Sequence, residues 1–184
     1  MNLRRAAIPI ETDPPFSEAV AWAALAQVLD PEVPVLSVIE LGIVRSVRVK
    51  VRGVHVIVTP TYSGCPATEV IQDDIREALF KAGASAVNIE VQFAPAWTTD
   101  WIAPEAAEKL RRYGIAPPHA AVAREGGSTT AEVIQALRFR PRNLRCPRCD
   151  SSTTEQLSAF GSTACKALYR CLACREPFEY FKPI

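Results

Sequence analysis

Two Cys-x-x-Cys knuckles in a short tail set the tightest limit on what this chain can become. Cys146-Pro-Arg-Cys149 and Cys171-Leu-Ala-Cys174 both fall in the last 39 of 184 residues. The stretch from 144 to 184 is about 40 residues long, and a piece that short rarely buries enough apolar surface to fold alone. A metal held by four thiolates in a tetrahedron supplies the missing stability. Each knuckle turn brings two sulfurs to one side of the ion and frees backbone amides to donate to them. Twenty-one residues separate the knuckles, one beyond the usual zinc-site spacing. A strand-like run follows each, Thr153-Thr154-Glu155-Gln156-Leu157 and Phe178-Glu179-Tyr180-Phe181. The expectation is a β zinc ribbon with Cys146, Cys149, Cys171 and Cys174 as structural ligands. Rubredoxin-like iron is the competing metal, because four thiolates suit both.

The other residues read as a separate module. An apolar fraction of 48% and a charged fraction of 22% exclude global disorder. No run approaches the ~20 apolar residues of a membrane helix. Residues 1–16 read as a flexible tail without the apolar segment of a secretory signal. A cytoplasmic location follows by default, where cysteines are metal ligands or thiols rather than disulfides. The net charge of +1 hides a split. Residues 1–137 hold 12 Lys/Arg and 16 Asp/Glu, a net of −4; residues 138–184 hold 9 and 4, a net of +5. Two modules with different partners, or modules that face each other, explain such a split; a small basic module that needs solubility explains it equally well.

Periodicity places the elements. Ser17 caps a helix to about Leu29, with Val20, Ala24, Leu25 and Val28 on its apolar side. Asp30-Pro31-Glu32-Val33-Pro34 breaks it. Val47, Val49 and Val51, then Val54, Val56 and Val58, alternate with polar residues around a turn at Arg52-Gly53, which reads as a hairpin. A turn-rich loop, Thr59 to Cys65, leads to a helix starting at Pro66 with Ala67, Val70, Ile71, Ile75, Ala78 and Leu79 on one face. Gly83 ends it, and Val87, Ile89, Val91 and Phe93 form a third strand. A last helix spans about Pro104 to Tyr113 and stops at Gly114. The fold class is therefore α+β: a small three-stranded mixed sheet with helices over 17–114, whose last two strands are parallel, followed by the ribbon over 144–184. Residues 115–143 read as a linker with a short helix at Thr130–Leu137.

Cys65 has the setting of an activated thiol. It precedes a helix whose free amides stabilise a thiolate, and Asp30 and Glu32 lie in the other proline-rich loop, able to sit beside it. Simple packing explains a lone cysteine as well. Neither His55, alternating with valines, nor His119 accompanies it at a motif spacing, so a Cys-His hydrolase has little support. Cys165, six residues before the third ligand, reads either as a small buried residue of the ribbon or as a reactive thiol or transient ligand with Lys166 lowering its pKa. Glu-x-x-His pairs for a di-iron site and a dinucleotide fingerprint are both absent from the sequence.

Asp30-Pro31-Glu32-Val33-Pro34, Leu41-Gly42-Ile43-Val44 and Pro60-Thr61-Tyr62-Ser63-Gly64-Cys65-Pro66 resemble the signature of SufT-like iron–sulfur-assembly domains, over about Ser17 to Pro104. The knuckles, with Phe160-Gly161-Ser162-Thr163-Ala164-Cys165-Lys166 and Phe178-Glu179-Tyr180-Phe181-Lys182, extend the resemblance to the PaaD family of bacterial phenylacetate degradation. That resemblance implies an accessory role in the aerobic phenylacetyl-CoA epoxidase system, without an oxygenase centre of its own. Under it, Cys65 is a transient thiolate ligand for iron or an iron–sulfur cluster, with Asp30, Glu32 and Thr61 shaping the pocket. The implied partners are the other epoxidase subunits, above all the iron–sulfur flavin reductase. One cysteine cannot hold a cluster that typically takes about four thiolates, so a homodimer or a client would supply more. A structural subunit that binds its partners through the ribbon is the alternative. Nucleic-acid binding through Arg138, Arg140, Arg142, Arg145, Arg148 and Phe139 is a third and weaker reading, since such runs are usually solvated.

Overall fold

A computed structural model describes residues 16–118 and 144–183. Most of the expected N-terminal tail and the short helix at Thr130–Leu137 lie outside the described residues. The first module is built from α1 (Glu18–Leu25), β1 (Val44–Lys50), β2 (Gly53–Val58), α2 (Ala67–Lys81), β3 (Val87–Val91) and α3 (Ala106–Tyr113). Ser17 caps α1 by accepting the Val20 N–H. The helix ends four residues short of Leu29, and the chain turns there into the proline-rich loop. β1 and β2 are antiparallel, and β2 and β3 are parallel across the α2 crossover, as the sequence implies. The hairpin tip falls at Val51, which is fully exposed rather than part of the strand. Gly53 follows it at φ +126°, a region closed to most other residues.

Helix α2 buries Ala67, Ile71, Ile75 and Leu79, one row at four-residue spacing. Val70, expected on that face, is half exposed. Gly42 adopts φ +67° because the chain passes against Trp101, whose carbonyl would lie 2.6 Å from an added Cβ. Gly114 ends α3 in the left-handed conformation at φ +96°.

The second sheet has four strands in the order β4-β7-β6-β5: β4 (Ile115–Ala116), β5 (Thr154–Ser158), β6 (Lys166–Cys171) and β7 (Pro177–Phe181). Strand β4 occupies the start of the expected linker and pairs in parallel with β7. The residues just after α3 are thus stitched into the ribbon. Phe181 and Cys165 from the ribbon sit in the hydrophobic core of the first module. The Phe181 ring lies 6.2 Å from that of Trp97, which in turn donates from its indole to the Leu41 carbonyl at 2.9 Å. Phe181→Leu keeps most of the buried area but loses the ring pair, so we expect it to cost about 1 kcal/mol. Urea unfolding followed by tryptophan fluorescence measures this loss.

Candidate functional site

The four knuckle sulfurs lie within 4.8 Å of one another. Cys146 and Cys174 are 3.8 Å apart and Cys149 and Cys171 3.5 Å apart. For metal–sulfur bonds of about 2.3 Å the edge of a tetrahedron is about 3.8 Å, so the donor set fits one zinc-sized ion. The local backbone explains why. Asp150 (φ 61°) and Arg175 (φ 68°) each follow the second cysteine of a knuckle in the left-handed region. That turn costs about 1–2 kcal/mol per residue and wraps the chain around the sulfurs. The N–H groups of Cys174 and Ala173 point at the Cys171 sulfur and bring its pKa down to about 6. Cys146 and Cys171 are buried, whereas Cys149 and Cys174 face outward.

A second group of side chains lies where the loops of the first module meet. Asp30 is the anchor. Its Oδ1 accepts the N–H groups of Glu32 and Val33, each at 2.8 Å, and so folds the proline-rich loop into a tight turn. The Asp30 N–H donates to the Leu36 carbonyl and closes that loop. Asp30, Thr61 and Cys65 line one small cavity with Thr68, Ile43, Val58, Pro60 and Ile71. Its volume of about 10 Å³ is about that of one water. Glu32 lies beside the cavity rather than in its wall.

Charge in this corner favours neutral forms. Burial pushes Asp30 above its ordinary range, although two N–H groups favour the carboxylate. Burial and then Asp30 push Glu32 up as well. Cys65 sits at the start of α2 as expected, and the Ala67 N–H stabilises its thiolate. Burial outweighs that amide, with Glu32 and Asp30 adding to it, and the thiol is raised. In the resting protein Cys65 is therefore a shielded thiol rather than an activated thiolate.

The structure also brings in residues from elsewhere in the chain. Tyr62 is raised to about 12, first by burial and then by the charges of Cys65, Glu32 and Cys165. Tyr62 stands within the Pro60–Pro66 motif, but the turn pattern of that loop assigns it no role. Cys165 and Lys166 reach the same corner from the ribbon. The Cys165 thiol lies 3.7 Å from Glu32 Oε2 and 3.0 Å from the Thr163 hydroxyl. Lys166 Nζ donates to the Glu32 carbonyl at 3.0 Å and pairs with Glu179 Oε2 at 3.0 Å. Lys166 does favour the Cys165 thiolate, but burial dominates and raises this thiol to about 11.

His55 pairs with Glu90 at 3.2 Å. It alternates with Val54, Val56 and Val58, so it faces away from the core side on which Val58 lines the Cys65 cavity. Arg138, Phe139, Arg140 and Arg142 of the basic run lie outside the described residues, and Arg145 is paired with Asp150 at 2.8 Å.

Comparison with known proteins finds two family models along the chain. Residues 18–91 match the family model of iron–sulfur cluster assembly proteins, and residues 130–182 match that of the PaaD zinc beta ribbon domain. A protein of Escherichia coli (strain K12), named as one of the subunits of 1,2-phenylacetyl-CoA epoxidase, is 52% identical over 163 residues, 89% of this chain and 91% of that protein. An Fe-S protein maturation auxiliary factor of Porphyromonas gingivalis (strain ATCC BAA-308 / W83) is 38% identical over 47% of this chain and 83% of its own length. Among solved structures, a conserved hypothetical protein from Thermotoga maritima aligns over 52% of this chain and 94% of its own, with 33% identity and a TM-score of 0.46.

Proposed function

The chain belongs to the PaaD family, and on that premise we propose that it is an accessory protein of the phenylacetyl-CoA epoxidase that assists iron or iron–sulfur cluster insertion into another subunit. The client we favour is the iron–sulfur flavin reductase of that system. The observation that carries this reading is the convergence of Cys65, Asp30 and Thr61 on one cavity, with Glu32 beside it, inside the segment matched by the assembly-protein model. A soft thiolate beside hard carboxylates suits ferrous iron, which accepts both donor types. Iron is cargo here, so the donor set need not enclose it. A partner supplies the remaining ligands, either a second copy of this chain or the client itself. Zinc in the ribbon is structural and shapes the docking surface.

The test is made in cells that need the epoxidase to grow on phenylacetate. With Cys65→Ala we expect reductase purified from those cells to lose most of its iron and acid-labile sulfide. Reductase that stays fully loaded and active would remove Cys65 from this role. A structural subunit is the second reading, supported by Leu157 (48% exposed), Phe160 (63%) and Leu172 (37%) on the ribbon surface. It predicts equal co-purification of Cys65→Ala and wild type with the other subunits, together with normal loading.

A further inference from the structure

Edge strands are hazards that proteins normally protect, because their unpaired N–H and C=O groups invite another chain. Two of the sheet edges carry such protection. Strand β1 is bulged between Val44 and Ser46, and the Glu18 carboxylate accepts the Val49 N–H on its outer side. Its Arg45, Arg48 and Lys50 would also repel a like strand. Strand β5 is bulged between Gln156 and Ser158. Strand β3 has none of these devices. It ends the sheet order β1-β2-β3, and its register with β2 runs unbroken from Val87 to Val91. Its sequence, Val-Asn-Ile-Glu-Val, contains no proline, glycine or lysine. Among the described residues no strand pairs with its outer side, and residues 92–96 just beyond it are exposed.

The Gln92 N–H donates to the Val58 carbonyl, toward β2. Backbone groups alternate sides along a strand, so Val87, Ile89 and Val91 aim theirs outward. We propose that two copies of this chain pair β3 against β3 in antiparallel register about Ile89, joining their three-stranded sheets across a two-fold axis. In that register Ile89 faces its own copy and Val87 faces Val91 of the second copy. Each facing pair exchanges two backbone hydrogen bonds. Val87, Ile89 and Val91 pack on the core but are only half-buried, whereas Val54, Val56 and Val58 of the neighbouring strand are almost fully buried. The second copy makes up that difference, and Phe93, 57% exposed just past the strand, extends the apolar contact. On the other side of the sheet Asn88 faces Glu90 of the second copy, an amide donor opposite a carboxylate. Glu90 pairs with His55 at 3.2 Å yet stays 56% exposed, free to accept. A slide of the register that set Glu90 against its own copy would oppose like charges, so charge selects the register about Ile89. One strand pair makes a small interface, which places the dimer among weak, concentration-dependent associations. Val58 at the end of β2 lines the Cys65 cavity, and β3 runs parallel to β2. Antiparallel pairing therefore sets the two Cys65 cavities at opposite ends of the joined sheet, and each stays open to a client rather than to the second copy.

Analytical ultracentrifugation of the full, zinc-loaded chain over a range of concentrations tests this. Wild type is expected to shift from monomer toward dimer as concentration rises. Asn88→Glu puts a carboxylate opposite Glu90 of the second copy at both symmetry-related positions, and is expected to weaken the dimer about 10-fold. Adding Glu90→Lys turns each repulsion into an ion pair, and the double variant is expected to regain at least the wild-type affinity. Val91→Pro removes an outward N–H at a position where an edge strand tolerates proline, and is expected to leave monomer alone. One zinc per chain and unchanged near-ultraviolet circular dichroism check that each variant is folded. Wild type that stays monomeric up to millimolar concentration overturns the inference, as does a dimer that Asn88→Glu and Val91→Pro leave unchanged. A dimer that Asn88→Glu weakens and Glu90→Lys does not restore overturns the register, and with it the inference. The function proposed above is read separately, from the iron and sulfide of the reductase.

Discussion

Cys171→Ser is expected to release the ribbon metal and to unfold residues 144–183. The ribbon's own core holds eight buried residues, and Cys146 and Cys171 are two of them. Structural zinc contributes an apparent ~10–16 kcal/mol in small zinc modules. That matches or exceeds the ~5–15 kcal/mol by which whole domains are stable. No rearrangement of Tyr169, Phe178 and Tyr180 offsets such a loss. The damage should stop short of the first module, whose α1, β1–β3 and α2 supply most of the core that Phe181 and Cys165 join. Trp97 will lose Phe181, however, and the acidic loop will lose Cys165 and Lys166. Zinc analysis should therefore give one metal per wild-type chain and none in the variant, with loss of near-ultraviolet circular dichroism from the ribbon tyrosines. Prolonged treatment of wild type with a strong chelator should reproduce that spectrum. A Cys171→Ser protein with the wild-type spectrum and melting temperature would show that the ribbon folds without its metal.

The parts of this fold that were legible in sequence are those governed by local rules. Valine alternation located the hairpin, the i, i+4 row located α2, and glycine located the ends of α2 and α3. The parallel pair followed from handed connectivity. What stayed hidden depends on contacts between distant residues. Strand β6 begins with a lysine that is 2% exposed, so its burial pattern reads as no simple alternation. Lys166 can be buried only because Glu32 and Glu179, 134 and 13 positions away, satisfy it. Strand β4 is two residues long and exists because β7 pairs with it, not because of propensity. The same distinction applies to the site. Asp30 and Cys65 stand in segments whose turn chemistry marks them. Cys165 was visible as an unassigned thiol, but its place beside Glu32 follows only from how the ribbon docks.

Lys166→Met tests that docking directly. Methionine approximates the apolar stem and removes the charge. The Glu32 carbonyl then loses its donor, and Glu179 keeps Ser162, whose N–H donates at 2.5 Å and whose side chain also supports it. Burial disfavours the Glu179 carboxylate, yet Ser162 and Lys166 together hold its pKa below the ordinary value. Removing Lys166 leaves the burial penalty offset by Ser162 alone. Breaking one side of a buried ion pair costs ~3–5 kcal/mol. Glu179 keeps 23% of its side-chain surface, so we expect about 3 kcal/mol. For a chain of this size that is a fall of about 6–12 °C in melting temperature. The double variant Lys166→Met with Glu179→Gln should recover part of it, because no unpaired charge then remains, and the cycle should give a coupling of about 0.5–3 kcal/mol. Zinc content should stay at one per chain, since neither residue touches the knuckles. If Lys166→Met melts within about 0.5 kcal/mol of wild type, as surface changes do, then Lys166 does not hold the ribbon to the acidic loop and the placement of Cys165 rests on other contacts, Phe181 among them.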